Sequence, residues 1–132
     1  MLARAPVQKG TVWSRRVPGD IVHTPALAHA IVYVTTSRGK IVALDAATGS
    51  TRWSADLRVD ITASPTVVGR SVLIGTQSGG VFGLEAHTGA VLWQFGAASE
   101  ISGSPIVVGD TMYVVSYDGM LHAVTRAGSP PR

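Results

Sequence analysis

Tryptophan occurs three times in the chain, at Trp13, Trp53 and Trp93, and the interval is 40 residues both times. The same interval links Pro25, Pro65 and Pro105, then Gly39, Gly79 and Gly119. Thr24, Ser64 and Ser104 keep it, as do Leu44, Leu84 and Val124, and so do Gly49 and Gly89. A fixed period near forty residues marks a chain built from one supersecondary unit copied several times. A single copy cannot bury its own apolar faces, so each unit is stable only beside its neighbours. The repeat constrains architecture strongly and chemistry hardly at all.

At 132 residues, with 45% apolar and 14% charged side chains, the chain can form a real core and is not of the disordered class. The absence of cysteine excludes disulfides and thiolate metal sites. Met1-Leu2-Ala3-Arg4-Ala5-Pro6 offers no apolar export segment, and no run is long enough to cross a bilayer as a helix. Compartment stays open, since a longer parent protein, periplasmic or extracellular, can carry its own signal. Residues 1–70 hold nine basic side chains against four acids, whereas 71–132 hold two against four. No aromatic residues are interleaved with the basic ones as base stacking requires, so a nucleic-acid partner is not expected.

Within each unit, short apolar runs alternate with turn residues at hairpin spacing. In the second unit the runs are Ser64–Val68, Ser71–Thr76, Val81–Glu85 and Ala90–Phe95. That is a meander of four strands. Gly39, Gly79 and Gly119 fall at the second hairpin, where a primed turn is expected, and Gly49 and Gly89 at the third. Pro25, Pro65 and Pro105 open the first strand, where a missing amide proton costs no ladder bond. Runs such as Ile31-Val32-Tyr33-Val34 are apolar throughout rather than alternating, which predicts sheets covered on both faces. Sheets stacked radially in this way are the blades of a β-propeller.

Ala43-Leu44-Asp45-Ala46-Ala47-Thr48-Gly49-Ser50-Thr51-Arg52-Trp53 resembles the docking motif of PQQ-like (pyrroloquinoline-quinone-type) propeller repeats. Gly83-Leu84-Glu85-Ala86-His87-Thr88-Gly89-Ala90-Val91-Leu92-Trp93 is a second copy, and Asp45 and Glu85 occupy the same place in it. The resemblance implies that each tryptophan packs on the adjacent blade. The third copy stops without a tryptophan, and Pro130 and Pro131 exclude a fourth strand there. The expected fold is therefore an all-β, partial β-propeller of about three four-stranded antiparallel blades. Its parts are a tail (1–10), an isolated outer strand (11–17), blades at 21–57 and 61–97, an incomplete blade at 101–125 and a second tail (126–132). Twelve strands make three blades' worth, fewer than the four to eight with which propellers close. Either the chain is part of a larger propeller, or two copies form a homodimer whose six blades are completed by strand 11–17 of each neighbour.

In quinoprotein dehydrogenases, which resemble this family, the axis holds a quinone and a calcium ion bound by clustered carboxylates and amides. Calcium takes six to eight oxygen ligands. Here most acids fall on turns, Asp45 and Glu85 in the docking motif and Asp110 and Asp118 at hairpins, where local hydrogen bonding accounts for them. No catalytic, metal-binding or cofactor-binding residues are assigned, and no bound quinone is expected. His29 and His87 are expected in solvated turns, and His122 packed or at an open edge. His23, whose counterparts Ala63 and Gly103 are small, is the one candidate to face the central channel. There is no nucleophile elbow, phosphate loop or zinc-helix motif.

The expected function is a non-catalytic platform whose loops and sheet edges contact an as yet undefined protein partner or a ligand. Non-enzymatic members of the family act as scaffolds in outer-membrane protein assembly or as sensors beside bacterial kinases. The rival is a fragment of a PQQ-dependent quinoprotein dehydrogenase, and a decayed reading frame is a third reading. The rich use of Ala, Gly, Val and Arg points to a bacterial source.

Overall fold

The computed structural model describes residues 10, 12–78 and 80–125. Eleven strands form there: β1 (Ala26–Ala28), β2 (Ile31–Thr35), β3 (Lys40–Asp45), β4 (Thr51–Asp56), β5 (Thr66–Val68), β6 (Ser71–Gly75), β7 (Gly80–Glu85), β8 (Val91–Gly96), β9 (Ile106–Val108), β10 (Thr111–Val115) and β11 (Leu121–Thr125). They make three antiparallel meanders, β1–β4, β5–β8 and β9–β11, called blades 1, 2 and 3 below. The register repeats with the sequence. Tyr33, Ala43 and Trp53 lie across blade 1 as Leu73, Gly83 and Trp93 lie across blade 2. Both blades carry a bulge at the same place, between Ala43 and Leu44 and between Gly83 and Leu84.

Continuous apolar strands bury side chains on both faces because each face meets a different neighbour. Ile31, Tyr33, Ile41 and Ala43 of blade 1 pack with Val72, Ile74 and Leu84 of blade 2. The other face of blade 2, with Leu73 and Val81, packs with Met112 and Val114 of blade 3. Val34, Val42 and Leu44 on the remaining face of blade 1 are covered by Val17 and Trp13. This is the radial stacking of a propeller, over part of a ring.

Two expectations need correction. The second hairpin does not use a primed turn. Gly39 N donates to Thr36 O and Gly119 N to Ser116 O, and each glycine follows the turn with φ of 99° and 86°. The intervening Ser37, Arg38, Tyr117 and Asp118 are absent from the positive-φ residues, so the glycine serves the bulge that follows an ordinary turn. The primed turn is at the first hairpin instead, where His29 and Ala30 both hold positive φ, 56° and 58°. Secondly, 12–17 forms no strand, giving eleven rather than twelve among the described residues. Its ladder partner would be the third strand of a preceding blade. Thr11, Gly79, most of the first tail and the second tail lie outside the described residues.

Candidate interaction site at the blade junctions and the open third blade

The docking motif places a turn of one blade against a tryptophan of the blade before it. Asp45 Oδ1 accepts from the amides of Ala47 (2.9 Å) and Thr48 (3.1 Å), and Gly49 N donates to Asp45 O. Glu85 Oε1 takes the amide of His87 in the same way at 2.6 Å. The turn thereby leaves one carbonyl pointing at the neighbouring blade. Trp53 Nε1 donates to Ala86 O at 2.8 Å, and Tyr33 Oη donates to the same oxygen at 3.0 Å. The two rings lie 6.1 Å apart. Gly89, at φ 81°, lies flat under the Trp53 indole, leaving no room for a Cβ. Burial raises the Tyr33 phenol above its ordinary pKa, with the Glu85 charge adding to the effect, so the phenol keeps its proton for the bond.

Trp13 repeats the arrangement on blade 1. Its Nε1 donates to Ala46 O at 3.0 Å, and a Cβ on Gly49 would meet its ring at 2.6 Å. Arg15 adds bonds to Gly49 O (2.7 Å) and Thr51 Oγ1 (2.6 Å). Segment 12–16 is thus seated as the outer strand of a preceding blade would be, with no sheet of its own. Trp93 lies across from Gly83 and packs in the junction of blades 2 and 3.

The turn carboxylates are structural in their contacts. Asp45 and Glu85 titrate below their ordinary values, chiefly because backbone amides hydrogen-bond the charged form. Asp118 is lowered as well, first by the Ser116 hydroxyl. Arg52 and Arg70 pair with Asp45 and Glu85 at 3.4 and 2.9 Å. Among the described residues no group of three His, Asp or Glu side chains could hold a metal ion, and no helix is long and apolar enough to cross a membrane.

His23 lies half-buried with Nε2 3.1 Å from Ile61 O, so it links the approaches to β1 and β5. Around it, Thr24 N donates to Ser64 Oγ, Ser104 Oγ to Ser64 O, and Thr66 Oγ1 to Pro105 O. The repeated Ser/Thr-Pro positions therefore stitch neighbouring blades together. Pro65 and Pro105 are buried, while Pro25, with no blade before it among the described residues, is exposed. His122 packs edge-on against Phe95 at 5.5 Å. A pairing that sequence spacing does not disclose brings His29 to 5.1 Å from His87, because the first turn of blade 1 and the third turn of blade 2 share a rim. His29 Nε2 also lies 2.6 Å from Gly69 O.

Two hollows remain. One, of about 460 Å³, lies between blades 2 and 3 and is lined by Leu73, Leu92, Trp93, Val107 and Met112 with Arg70 and Asp110 at its rim. The other, of about 690 Å³, runs along the N-terminal segment from Ser14 to Val17 and from Gly19 to Val22. Several large apolar side chains are exposed on blade 3: Ile106, Val108, Val115, Tyr117, Met120 and Leu121. Ile41 and Val81, the equivalents of Leu121, are 0% exposed against its 65%. β11 is also the edge strand of its sheet among the described residues, a position open to pairing with another strand along Leu121 to Ala123.

A family profile described as "Outer membrane protein assembly factor BamB" matches residues 5–129. The crystal structure of BamB from Moraxella catarrhalis superposes with a TM-score of 0.78 at 27% identity, over 86% of this chain and 37% of that one. The quinohemoprotein alcohol dehydrogenase ADHIIG from Pseudomonas putida HK5 gives 0.77 at 22% identity, over 89% and 21%. The computationally designed Ika4 protein gives 0.69 at 19% identity, over 76% and 63%. The last two similarities concern the fold alone. The chain spans about a third of the length of the first of these structures and a fifth of the second. A comparison with curated protein sequences gives no match.

Proposed function

Given that the chain belongs to the PQQ-like propeller family described as outer membrane protein assembly factor BamB, we propose that it is a non-catalytic propeller segment that acts as a protein-interaction platform. The observation that carries this reading is the third blade, an exposed apolar sheet face with an edge strand, stacked on two further blades. Main-chain pairing at such an edge supplies affinity, and side-chain pockets on the face supply selectivity. The turn carboxylates are committed to amides and arginines, which leaves them poorly placed for acid–base work. The similarity to BamB, a protein whose name states a part in assembly, agrees with a partner that is itself a protein.

The rival is a fragment of a quinone-dependent dehydrogenase, whose ligands would then lie beyond the residues described. Two measurements separate the readings. A photo-crosslinking amino acid at Leu121 is expected to give a discrete protein adduct, while the same group at Arg52, exposed on the outer strand of blade 1, gives none. Titration with pyrroloquinoline quinone and calcium is expected to leave the quinone absorbance unchanged. Equal labelling from both positions, or saturable calcium-dependent quinone binding, overturns the platform.

A further inference from the structure

We propose that the open third blade takes a second copy of this chain, whose N-terminal segment pairs with β11 as a fourth strand. The inference rests on the platform reading and names its partner. Its basis is that segment 12–17 and the open face of blade 3 are the separated halves of a junction that occurs intact between blades 1 and 2.

In the intact junction, one carbonyl receives two donors: Tyr33 Oη and Trp53 Nε1 both reach Ala86 O. The repeat carries each of these positions by 40 residues. Ala46 O therefore receives Trp13 Nε1, and its second donor would be a tyrosine of a preceding blade, which the described residues lack. At the other end, Tyr113 stands at the repeat position of Tyr33, with neither a carbonyl partner nor a following blade among the described residues. A second copy supplies to each what it lacks. The same holds across the ladder. A small residue faces each paired tryptophan, Ala43 opposite Trp53 and Gly83 opposite Trp93. Ala123 keeps that small residue in a sheet without a tryptophan, and Trp13 is a tryptophan without a sheet. The register of β3 with β4 carried over gives Leu121 opposite Arg15, His122 opposite Ser14 and Ala123 opposite Trp13.

Apolar contacts complete the same pattern. Ile61 and Ile101 are 3% and 0% exposed, and Ile101 sits against Gly75 of the blade before it. Their counterpart Ile21 is 48% exposed, and the counterpart of Gly75 is Val115, 44% exposed. Joined across two copies, each covers the other. Charge is complementary too: Arg15 and Arg16 approach a blade whose ionised groups are Asp110 and Asp118, with no Lys or Arg in 101–125. The described residues of two copies bring six blades, inside the range of about four to eight in which propellers close, whereas those of three copies exceed it. The assembly is thus a closed dimer with two equivalent junctions.

The chain lacks cysteine, which makes a direct test available. A Cβ placed on Gly75 lies 3.2 Å from Ile101 Cβ, close to the ~3.5–4.5 Å that a disulfide spans. Ile21→Cys in one chain and Val115→Cys in another, mixed and oxidised, are expected to give a covalent species of twice 13.7 kDa. Val115→Cys mixed with Leu92→Cys, a control exposed on the outer strand of blade 2, should give at least tenfold less. Light scattering of the unmodified chain should show the same mass, and Leu121→Asp should shift it to the monomer with the β-sheet circular dichroism retained. A monomer at every concentration with no selective cross-link overturns the proposal, and so does a ladder of higher multiples. An adduct from Leu121 to a different protein, with the chain monomeric, overturns the second copy as partner but leaves the platform standing. No adduct of any kind overturns both.

Discussion

The outward face of blade 1 and the outward face of blade 3 are built from the same repeat positions and have opposite fates. On blade 1, Tyr33 and Ile41 vanish beneath blade 2, and Tyr33 shares a carbonyl with Trp53. On blade 3, Tyr113 is half-buried and Leu121 stands largely in water. Composition does not separate them, since both carry a tyrosine flanked by aliphatic residues. The difference is the next blade, with its tight turn and its correctly aimed carbonyl. A blade is therefore an adhesive surface by construction, and burial depends on whether a neighbour is supplied. Exposing such a face to water leaves an association site or an aggregation hazard.

The largest effect expected from breaking the comparison comes at the tryptophan. Trp53→Ala removes a buried indole, its bond to Ala86 O and its contact with Gly89, and should cost about 3–5 kcal/mol in urea denaturation. Next is the glycine beneath it. Gly89→Ala combines positive φ with a Cβ driven into the indole, for about 2–4 kcal/mol. Gly119→Ala is the matched control, because it has the positive φ but nothing within 4 Å, and should cost only about 1 kcal/mol. Equal losses at the two glycines would mean that the indole contact contributes little. Tyr33→Phe, leaving Ala86 O with one donor, is expected to cost about 1 kcal/mol. Tyr113→Phe should leave the isolated chain unchanged and weaken only the associated form.

Much of this was legible in the sequence because the repeat reports the same physical demand several times. The 40-residue interval of Trp13, Trp53 and Trp93 fixes the blade unit, and Gly49 and Gly89 recur because an indole lies flat on each. The continuous apolar run in β2 disclosed two covered faces, whereas Thr66-Val67-Val68, equally apolar in sequence, is only half-buried to exposed. What stayed hidden depends on contacts between units. The shared carbonyl at Ala86 cannot be read from local spacing, because Tyr33 and its acceptor are 53 residues apart and a leucine, Leu73, holds the tyrosine position in blade 2. The approach of His29 to His87 follows from which turns share a rim, and neither residue repeats. Turn type was misplaced for a local reason. Glycine at 39 and 119 suggests a primed turn, but the primed geometry falls on His29 and Ala30, neither of them the glycine that positive φ usually calls for.

The smallest expected effect concerns pH and separates a turn that holds a junction from one that faces water. The folded Glu85 carboxyl titrates below its ordinary 4.5, and Asp118 below its ordinary 3.8. A lowered folded pKa means that the unfolded chain binds protons first as the pH drops. The stabilisation is therefore complete above those ordinary values and is lost as the pH falls through the lower folded ones. Both contributions carry the same sign, yet their structural reach differs. Protonating Glu85 releases the His87 amide from the turn that receives Trp53. Protonating Asp118 loosens a turn in blade 3 that touches no other blade through Gly119. With Trp13 and Trp93 replaced by phenylalanine, Trp53 emission should shift to the red as the pH falls below Glu85's ordinary 4.5. Glu85→Gln should flatten that transition and the acid limb of the urea midpoint, while Asp118→Asn leaves the emission transition in place. An equal response to both substitutions would show that acid acts on the whole propeller at once, and that the junction turn is no more sensitive than the free one.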